Sequence, residues 1–354
     1  MSDEKEATMD DLPASHLRYL PRSAVIEAVA SVDSTQVVKD ALLLHAKEAT
    51  TLPQEAYLPW TTSNGHFARS LALPAALWGA RPALGLKVIN GSLGNRNRGI
   101  PRAQGLILLF DPETAHPVVA MEAAYLSALR TAAYTALTVQ TLALPDAESI
   151  TIVGCGAIAE AHLRLLAHTC PHAQFTLYDL VPQRARDLVS AAVRGGVVAT
   201  ATTNMEEAIR GALVVVTTTT TTVGYLPYEW LAAGAVVAHV SLDDVMPDVV
   251  RRADLVVIDD WSLISTDTHR LLGKMFRDGD LRGPGGESTA DTAPTARQVD
   301  ATLADILAGS RAGRIDDQQI VLSNPFGMGI LDVALASAVA SVADEREIGT
   351  VLAV

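Results

Sequence analysis

One stretch of sequence, residues 149–162, limits the possible folds of this chain more than any other. A β-favouring run, Ile150–Val153, leads into a turn that contains Gly154 and Gly156, and a helical pattern of apolar residues follows. Gly154 permits a tight turn, Gly156 lets the backbone approach a pyrophosphate, and the small Ala159 allows the helix to pack closely on the strand. This order of elements predicts a dinucleotide-binding βαβ unit, because free N–H groups at a helix start bind phosphate.

Residues after the turn indicate which dinucleotide such a unit binds. Ala157 and Ile158 open the helix, so we expect them to contact the cofactor together with the two glycines. Asp179 ends the next β-rich run, near the ~20-residue spacing of the acid that binds a ribose 2′-hydroxyl. An acid there repels a 2′-phosphate and favours NAD over NADP, although Arg184 and Arg186 weaken that preference. The alternative is an unrelated α/β fold in which Asp179 caps a helix.

Strand and helix patterns alternate after the turn, as far as residue 258. Right-handed βαβ crossovers then give a doubly wound parallel sheet, the Rossmann type of α/β fold. Within residues 69–119, short strands follow one another through turns, which predicts an antiparallel sheet. We therefore predict a mixed α/β substrate-binding domain at 1–128, rejoined by 325–354, and an NAD-binding domain at 129–324.

Local patterns give further expectations for the first domain and for the end of the chain. Residues 1 to about 20 are polar and predicted to be mobile, and apolar spacing predicts one helix from about Ser23 to His45. Residues 46–66 predict loop with one short strand, and residues 91–99 predict a turn-rich basic loop. The final apolar helix, Ile330–Val342, is expected to return to the first domain.

Composition excludes several classes of protein. Of the 354 residues, 49% are apolar and 19% are charged, so a large core is expected and global disorder is not. The net charge of −13 argues against a nucleic-acid partner, which needs a basic surface. The two cysteines, Cys155 and Cys170, make neither a disulfide framework nor a zinc spacing, so no metal is expected. The acidic N-terminus lacks a signal-peptide core and no apolar run reaches ~18 residues, so we expect a cytoplasmic protein with no membrane span.

Charged residues outside the glycine turn are the candidates for substrate binding. Lys87 stands in an otherwise apolar strand, and because a buried lysine is costly unless paired, a ligand contact is favoured over a structural role. Arg130 lies in an Ala-rich helix predicted at Glu122–Leu142 and offers a fork for a carboxylate. Glu122 is a further acid candidate, unless it only places charge in the first turn of that helix. Four arginines are more ambiguous, because basic loop residues are usually solvated: Arg69, Arg96, Arg98 and Arg102.

Polar residues that end predicted parallel strands are the candidates nearest the reacting atoms. Asp243 and Asp244 follow the strand at 235–240, where a carboxylate is placed to take a proton from an amine or to stabilise an iminium beside nicotinamide. The alternative is a helix N-cap, and the two roles are compatible if each is filled by one aspartate. Thr217 and Thr218 begin a run of six threonines at the end of the preceding strand and are candidates to bond the nicotinamide ribose, with a β-branched strand end as the alternative.

An ordered set of motifs resembles the ornithine cyclodeaminase/μ-crystallin family over about residues 50–340. These motifs are Lys87 within Gly85–Asn90, Leu109–Asp111 with Thr114 and Pro117, Met121–Glu122, Arg130–Ala133, the glycine turn, and Pro325–Gly327 with Asp332. Within the family, a second set is similar to the dehydrogenases of 2,3-diaminopropionate biosynthesis, which serve siderophore and peptide-antibiotic pathways. That set is Arg69 with Ala72–Ala75, Asn95, Gly99–Ala103, Ser241–Asp244 and Asn324–Met328.

The resemblance implies an NAD-dependent enzyme that acts on the C–N bond of an amino acid or secondary amine. Dehydrogenases of that type oxidise N-(2-amino-2-carboxyethyl)-L-glutamate, and water then splits the imine to 2-oxoglutarate and 2,3-diaminopropionate. It further implies that Lys87 and Arg130 bind substrate carboxylates with help from Arg69, and that an aspartate, preferably Asp244, acts on the amine or imine. The resemblance also implies that the hydroxyls of Thr131 and Ser241 lie near the cofactor. It implies a homodimer as well, paired through the non-nucleotide domain.

The chain also departs from the family pattern. Pro59 stands in Tyr57–Trp60 where relatives carry an arginine that binds a carboxylate, which leaves the exact substrate open. Ser241–Pro247 replaces the Gly-Asp-x-Pro-Gly-Lys pattern of the cyclodeaminases, which speaks against plain ornithine cyclodeaminase. Two alternatives to the dehydrogenase stay open: an ornithine or lysine cyclodeaminase that recycles its cofactor, and a crystallin-like nucleotide-binding protein without catalysis.

Overall fold

A computed structural model describes residues 16–145 and 147–353, and two eight-stranded sheets organise them. The strands of the first sheet are β1 (His16–Leu20), β2 (Thr50–Thr51), β3 (Ala56–Thr61), β4 (Phe67–Leu77), β5 (Ala83–Ser92), β6 (Ala103–Phe110), β7 (Pro117–Glu122) and β18 (Thr350–Ala353). They lie in the order β18-β1-β7-β6-β5-β4-β2, and β3 also pairs with β4. The first sheet therefore joins the N-terminal third of the chain to its C-terminal strand.

Strands β4 to β7 form an antiparallel meander, which confirms the prediction for this region. One row across the meander contains Leu73, Lys87, Ile107 and Met121, and the three apolar members are buried. Because successive residues of a strand face opposite sides, Lys87 shares the buried side of the sheet and Leu86 faces the other side. Strand β1 pairs with β7 in parallel, so the complete sheet is mixed.

Four helices pack on the first sheet, namely α1 (Arg22–Val29), α2 (Ser34–Ala46), α3 (Ala123–Leu142) and α11 (Gly329–Glu345). The prediction of a single helix from Ser23 to His45 is wrong, because α1 ends at Val29 and α2 begins after a break. The Asp33 carboxylate accepts hydrogen bonds from the N–H groups of Thr35 and Gln36. An aspartate in this position caps a new helix start and competes with continuation of the preceding helix.

Three further expectations for the first domain are corrected. Residues 16–20 form a strand because β1 pairs with both β7 and β18, while residues 1–15, also predicted to be mobile, lie outside the described residues. Residues 46–66 contain two strands rather than one, since β2 and β3 both pair with β4. Residues 91–99 are more ordered than a loop, because β5 extends into them and a 3-10 helix spans Leu93–Arg98.

The second sheet is parallel throughout and has the order β10-β9-β8-β11-β12-β17-β13-β16. Its strands are β8 (Ser149–Val153), β9 (Gln174–Tyr178), β10 (Ala199–Ala201), β11 (Val214–Thr217), β12 (Val236–His239), β13 (Leu255–Ile258), β16 (Ala301–Thr302) and β17 (Val321–Asn324). The helices of this unit are α4 (Ala157–Thr169), α5 (Pro182–Arg194), α6 (Met205–Arg210), α7 (Pro247–Arg252), α8 (Trp261–Thr266), α9 (Leu271–Arg277) and α10 (Leu303–Ala308). Strands β14 (Leu281–Arg282) and β15 (Arg297–Gln298) form a separate pair. The predicted doubly wound Rossmann fold is confirmed.

Helix α3 connects the two sheets. It packs against α2 and β6, which belong to the first unit, and against α4, which belongs to the second. The predicted domain boundary after residue 128 falls inside this helix, and the division at that residue stays a prediction. Helix α11 packs against α1, α2, β4 and β5, so the end of the chain lies on the first sheet. None of the helices within the described residues combines the length and apolar character that a bilayer-spanning segment requires.

Candidate functional site

The two glycines of the turn after β8 differ in what a side chain would meet. Gly154 has φ +92°, and a Cβ there would lie 3.0 Å from the carbonyl oxygen of Thr218, so the fold itself requires glycine. Its N–H donates to the carbonyl of Tyr178 at 2.8 Å, which joins the turn to β9. Gly156 caps α4, and a Cβ there would meet no described heavy atom within 4 Å. The space beside Gly156 is therefore open for a ligand that approaches the helix N-terminus.

A cavity of about 1140 Å³ lies between this turn and α3. Its volume slightly exceeds the ~300–1,000 Å³ typical of ligand sites, so an extended dinucleotide fits. Six of the residues predicted to bind the cofactor line it: Gly154, Gly156, Ala157, Ile158, Asp179 and Thr218. The other three are engaged within the protein. Thr131 Oγ1 donates to the Ser127 carbonyl at 2.7 Å, Thr217 is buried in β11, and Ser241 Oγ donates to the Asp244 carboxylate.

Asp179 holds the glycine turn against the end of β9. Its Oδ2 accepts the N–H of Cys155 at 2.8 Å, and its Oδ1 accepts the N–H of Val181 at 2.8 Å. The guanidinium of Arg184 lies 3.7 Å from Oδ1. A carboxylate oxygen has two lone pairs, so both oxygens keep acceptor capacity for a ribose hydroxyl. Asp179 thus has a structural role, and the predicted ribose contact stays a prediction.

A buried charge cluster links three elements of the first unit. Lys87 Nζ lies 2.5 Å from Asp332 Oδ2, and Arg130 Nε lies 3.0 Å from Asp332 Oδ1. Lys87 is 2% exposed and Asp332 is fully buried. Burial lowers the pKa of Lys87 to about 8, although Asp332 opposes that shift, and the two cations keep the pKa of Asp332 below its usual range. Two cations share one carboxylate, so one positive charge is left for an anionic ligand.

Arg69 belongs to a smaller cavity of about 170 Å³ beside α8 and β3. Glu55 and Arg270 line the same cavity. Burial raises the pKa of Glu55, while the positive charges of Arg270, Lys87 and Arg69 act in the opposite direction. A half-buried acid close to these cations is suited to hold an amine or a proton.

Pro59 lies directly opposite Arg69 in the antiparallel pair of β3 and β4. Side chains at opposite positions of such a pair are neighbours on one face. The side chain of Arg69 therefore starts from the same face of the sheet as an arginine at position 59 would. This register gives a physical reason why the departure at Pro59 is compatible with carboxylate binding.

Asp244 is fully buried at the carboxyl end of β12, and three hydroxyl groups donate to its carboxylate. Thr219 Oγ1 donates at 2.6 Å, Tyr225 Oη at 2.9 Å, and Ser241 Oγ makes a short third contact. Burial and Asp244 raise the pKa of Tyr225, so its hydroxyl remains a donor. Thr219 and Tyr225 line the larger cavity, whereas Asp244 is placed behind them.

Asp243 and Glu122, the other predicted acids, differ in their surroundings. Burial raises the pKa of Asp243, and Arg270 and Lys274 act against that shift. Glu122 caps α3, since its carboxylate accepts the N–H of Ala124 at 2.9 Å. Glu122 therefore has the structural role that was its alternative, at the start of α3. Asp243 is close enough to Arg270 for that positive charge to act on its pKa.

Three buried polar atoms at the carboxyl ends of β12 and β17 have no hydrogen-bond partner among the described residues: His239 Nδ1, Ser323 Oγ and Asn324 Oδ1. Burial lowers the pKa of His239 to about 4, so the ring is neutral. Its Nε2 accepts the N–H of Asp244 at 2.9 Å, which leaves the proton on Nδ1. Unpaired buried polar atoms are rare in native proteins, so this edge of the sheet is suited to a polar ligand or water.

A glycine-containing loop after β17 covers Arg130. Gly327 has φ +110°, and a Cβ there would lie 3.0 Å from Arg130 Nη2. The N–H of Gly327 donates to the buried Asp259 carboxylate at 2.6 Å. Asp332 accepts a hydrogen bond from the Nε of Arg130, and the two outer nitrogens of Arg130 lie beside Gly327 of this loop. These outer nitrogens remain available to bind a carboxylate.

Several residues of the site were absent from the predicted set. Glu55, Arg270 and His239 occur in stretches whose local pattern gave no functional signal. Asp332 gave a usable signal, because an acid in the apolar helix Ile330–Val342 needs a buried partner. Asp332 was recognised as part of a family motif, but nothing in the sequence predicted its ion pair with Lys87.

Comparison with known proteins relates this geometry to a group of enzymes. The sequence profile of the ornithine cyclodeaminase/mu-crystallin family matches residues 19–347. A protein of Staphylococcus aureus, N-((2S)-2-amino-2-carboxyethyl)-L-glutamate dehydrogenase, is 32% identical over 341 residues, which cover 94% of this chain and 97% of that protein.

Two solved structures have the same fold. The crystal structure of CmnK is 38% identical, has a TM-score of 0.87, and covers 96% of this chain and 98% of that chain. An archaeal alanine dehydrogenase dimer with bound NAD is 26% identical, has a TM-score of 0.80, and covers 95% of this chain and 99% of that chain.

Proposed function

The chain belongs to the ornithine cyclodeaminase/mu-crystallin family, and we propose that it oxidises N-(2-amino-2-carboxyethyl)-L-glutamate with NAD. It is an NAD-dependent enzyme of the amino-acid dehydrogenase and cyclodeaminase group. Hydrolysis of the oxidised substrate would release 2-oxoglutarate and 2,3-diaminopropionate, a building block for siderophores or peptide antibiotics. The observation that carries the proposal is the buried pair Lys87 and Arg130, which shares a single carboxylate and retains one charge for the substrate.

The cofactor assignment rests on the larger cavity. Gly156 leaves open space at the N-terminus of α4, and the free N–H groups there suit a pyrophosphate. Asp179 at the same cavity suits a ribose hydroxyl rather than a 2′-phosphate. When bound, NAD accepts a hydride from the carbon that carries the substrate nitrogen.

The residues around that carbon have separate roles in the proposal. Lys87 and Arg130 hold the carboxylate on the reacting carbon and fix its orientation. Asp244, which is connected to the larger cavity by the hydroxyls of Thr219 and Tyr225, or Asp243 takes the proton that the nitrogen loses as the carbon is oxidised. The oxidised substrate is an imine, and one water molecule adds to its carbon and breaks the C–N bond. The three hydroxyls on Asp244 would keep that carboxylate in one orientation.

A single assay separates the candidate functions. Purified protein is mixed with NAD and N-(2-amino-2-carboxyethyl)-L-glutamate, and NADH absorbance is followed while 2-oxoglutarate is quantified; ornithine is used in parallel. Equal amounts of NADH and 2-oxoglutarate support the proposal. Ammonia release from ornithine without net NADH would instead identify a cyclodeaminase, and no reaction with either compound would point to a nucleotide-binding protein.

We also propose that the chain forms a homodimer through the first sheet. Paired positions Leu86–Leu108 and Val88–Leu106 face away from the packed helices, and Leu106 is 43% exposed. An exposed apolar sheet face of this kind is typical of a protein interface. Leu106→Asp is expected to convert a dimer to a monomer in light scattering, while Ile315→Asp, at an equally apolar and 79% exposed position of the second unit, is the matched control. An unchanged mass for Leu106→Asp would exclude this face.

A further inference from the structure

Consecutive residues at the carboxyl end of β13 contact three segments that lie in the first unit or lead into it. The hydroxyl of Tyr134 in α3 donates to the carbonyl of the last strand residue at 3.3 Å. The Asp259 carboxylate accepts the N–H of Gly327 at 2.6 Å, in the loop that leads from β17 to α11. The next residue, Asp260, has its Oδ2 3.1 Å from His45 Nε2 in α2. This end of β13 is therefore a junction between the two units.

Asp259 is a buried acid that main-chain groups hold. It is fully buried and has no ion-pair partner in the part of the chain that the structure describes. Its Oδ1 accepts the N–H of Asp260 at 2.9 Å, while Oδ2 accepts that of Gly327. Burial raises the pKa of Asp259, and these two N–H groups act against that shift. A buried carboxylate without a cation is costly, but its hydrogen bonds are stronger than those of a neutral oxygen, so it holds the loop firmly.

The loop that Asp259 holds lies directly against the guanidinium of Arg130. A Cβ at Gly327 would lie 3.0 Å from Arg130 Nη2 and 3.2 Å from Nη1, so the backbone there leaves no room for a side chain. Asp332 contacts the same guanidinium at Nε, 3.0 Å away. The outer nitrogens of Arg130 are therefore placed by two carboxylates, one that contacts Nε directly and one that acts through Gly327.

The adjacent acid, Asp260, makes contacts of a different kind. Its Oδ1 accepts the N–H of Leu263 at 3.0 Å and caps α8, and its Oδ2 faces His45. Neither contact involves the Gly327 loop or the guanidinium of Arg130. The two neighbouring aspartates both join the units, but Asp259 alone of the two acts on the loop beside the substrate anchor.

We propose that Asp259 is a positioning residue for substrate binding, which holds the loop at Gly327 so that the outer nitrogens of Arg130 are fixed for a carboxylate. Asp259 thereby ties the substrate anchor of the first unit to the unit that binds NAD. The inference rests on the assignment of Arg130 to a substrate carboxylate under the proposed function, but not on which amino acid is oxidised. The alternative is that Asp259 only stabilises the fold.

The test measures the affinity of the NADH-loaded protein for L-glutamate by calorimetry. L-Glutamate carries the α-carboxylate, and the reduced cofactor prevents its oxidation during the titration. Asp259→Asn is expected to weaken L-glutamate binding about tenfold or more, because a small displacement of a substrate-positioning group has a large effect. The affinity for NADH should not change. Asp260→Asn is the matched control and should bind L-glutamate within about twofold of the wild type, even if its unfolding midpoint falls.

A second background separates positioning from a structural role. Arg130→Lys keeps the positive charge but has no outer nitrogens beside the loop, so it should weaken L-glutamate binding by itself. Adding Asp259→Asn to Arg130→Lys should then weaken binding by no more than about twofold, because the group that the loop orients is gone. A structural role would instead weaken binding by the same factor in both backgrounds. Gly327→Ala disturbs the loop without changing Asp259, and it should weaken L-glutamate binding about tenfold or more.

Three outcomes would overturn the inference. The first is an unchanged L-glutamate affinity in Asp259→Asn or, if that variant does not fold, in Gly327→Ala. The second is an equal effect of Asp259→Asn with and without Arg130→Lys. The third is an Arg130→Lys variant that binds L-glutamate as the wild type does, or a wild type that does not bind it. L-Glutamate binding that follows the expected pattern without NADH formation from N-(2-amino-2-carboxyethyl)-L-glutamate would contradict the proposed substrate alone, because the binding assay requires no turnover.

Discussion

Replacing Asp332 with asparagine tests whether one carboxylate organises the buried charge cluster. Asp332 is fully buried and contacts Lys87 Nζ at 2.5 Å and Arg130 Nε at 3.0 Å. Asparagine keeps the shape of the side chain but removes its negative charge. The variant therefore leaves two buried cations with no counter-charge at the position between them.

The magnitude follows from the burial of the cluster. Breaking a buried ion pair by removing one partner costs about 3–5 kcal/mol. With an unfolding entropy of about 2.1 cal/mol/K per residue, a chain of 354 residues loses about 1.3 °C of midpoint for each 1 kcal/mol, so the unfolding midpoint should fall by roughly 4–7 °C. Burial lowers the pKa of Lys87 to about 8, and the Asp332 carboxylate keeps it from falling further. Loss of that carboxylate therefore lowers the pKa of Lys87 below about 8. The ammonium would then lose its proton near neutral pH, and substrate affinity would fall.

The pH dependence of the defect has a definite sign. A lysine whose folded pKa lies below its unfolded value of ~10.4 binds fewer protons when folded, so stability rises with pH between the two values. The wild-type protein gains this stability only above its Lys87 pKa of about 8, whereas Asp332→Asn gains it from the lowered pKa upward. The deficit of Asp332→Asn should therefore be largest below the lowered pKa, shrink up to about pH 8 and stay constant above it. Thermal unfolding followed by circular dichroism at three pH values, roughly 6, 8 and 9, with no ligand added, measures both the deficit and its pH dependence.

Two further variants control the experiment. Asp344→Asn removes an ion pair with Arg18 at 2.8 Å whose acid is 78% exposed, and it should change stability by no more than about 1 kcal/mol. Adding Lys87→Met to Asp332→Asn removes one uncompensated charge, so it should restore part of the midpoint but no turnover. The reasoning is refuted if Asp332→Asn is no less stable than Asp344→Asn, or if the double variant is less stable than Asp332→Asn.

Four other predictions follow from the site. Lys87→Ala and Arg130→Ala should abolish turnover but leave NAD affinity unchanged in a fluorescence titration, and full activity in either would contradict the substrate assignment. Because burial lowers the pKa of Lys87 to about 8, kcat/KM should fall above that pH as the ammonium loses its proton. Lys87→Arg should remove this decline, and an unchanged pH profile in that variant would exclude Lys87 as its origin. Asp179→Ala should reduce the ratio of NAD to NADP affinity, and a constant ratio would exclude the ribose contact. Gly156→Ala should fold normally and lose NAD affinity, whereas Gly154→Ala should lower the unfolding midpoint because φ is +92°; the reverse pattern would contradict the turn geometry.

Elements of the second unit were predicted closely because their signals are local. Strands and helices alternate from β8 to β13, which ends at Ile258 as the predicted alternation does, and the turn at Gly154 occupies the predicted strand-to-helix junction. Buried parallel strands are continuous apolar runs, and the helices between them begin and end at recognisable residues. The order of these elements was sufficient to infer the fold.

Errors were concentrated where structure depends on distant partners or on one polar side chain. Strand β1 looks like a polar terminus, yet it pairs with β7 and with β18 at the opposite end of the chain. The break before α2 depends on the Asp33 carboxylate, which apolar periodicity does not register. Pairing partners hundreds of residues away leave no trace in a local pattern.

The sequence by itself determined the dinucleotide fold, the glycine turn and the need of Lys87 for a charged partner. Only the tertiary structure decided which partner that is: Asp332, 245 positions from Lys87 and 202 from Arg130. It also decided that Asp244 is held by hydroxyls from Thr219, Tyr225 and Ser241. The physical reason is that residue chemistry dictates that a buried charge must be compensated, whereas the packing of distant helices and strands dictates which group comes close enough to compensate it.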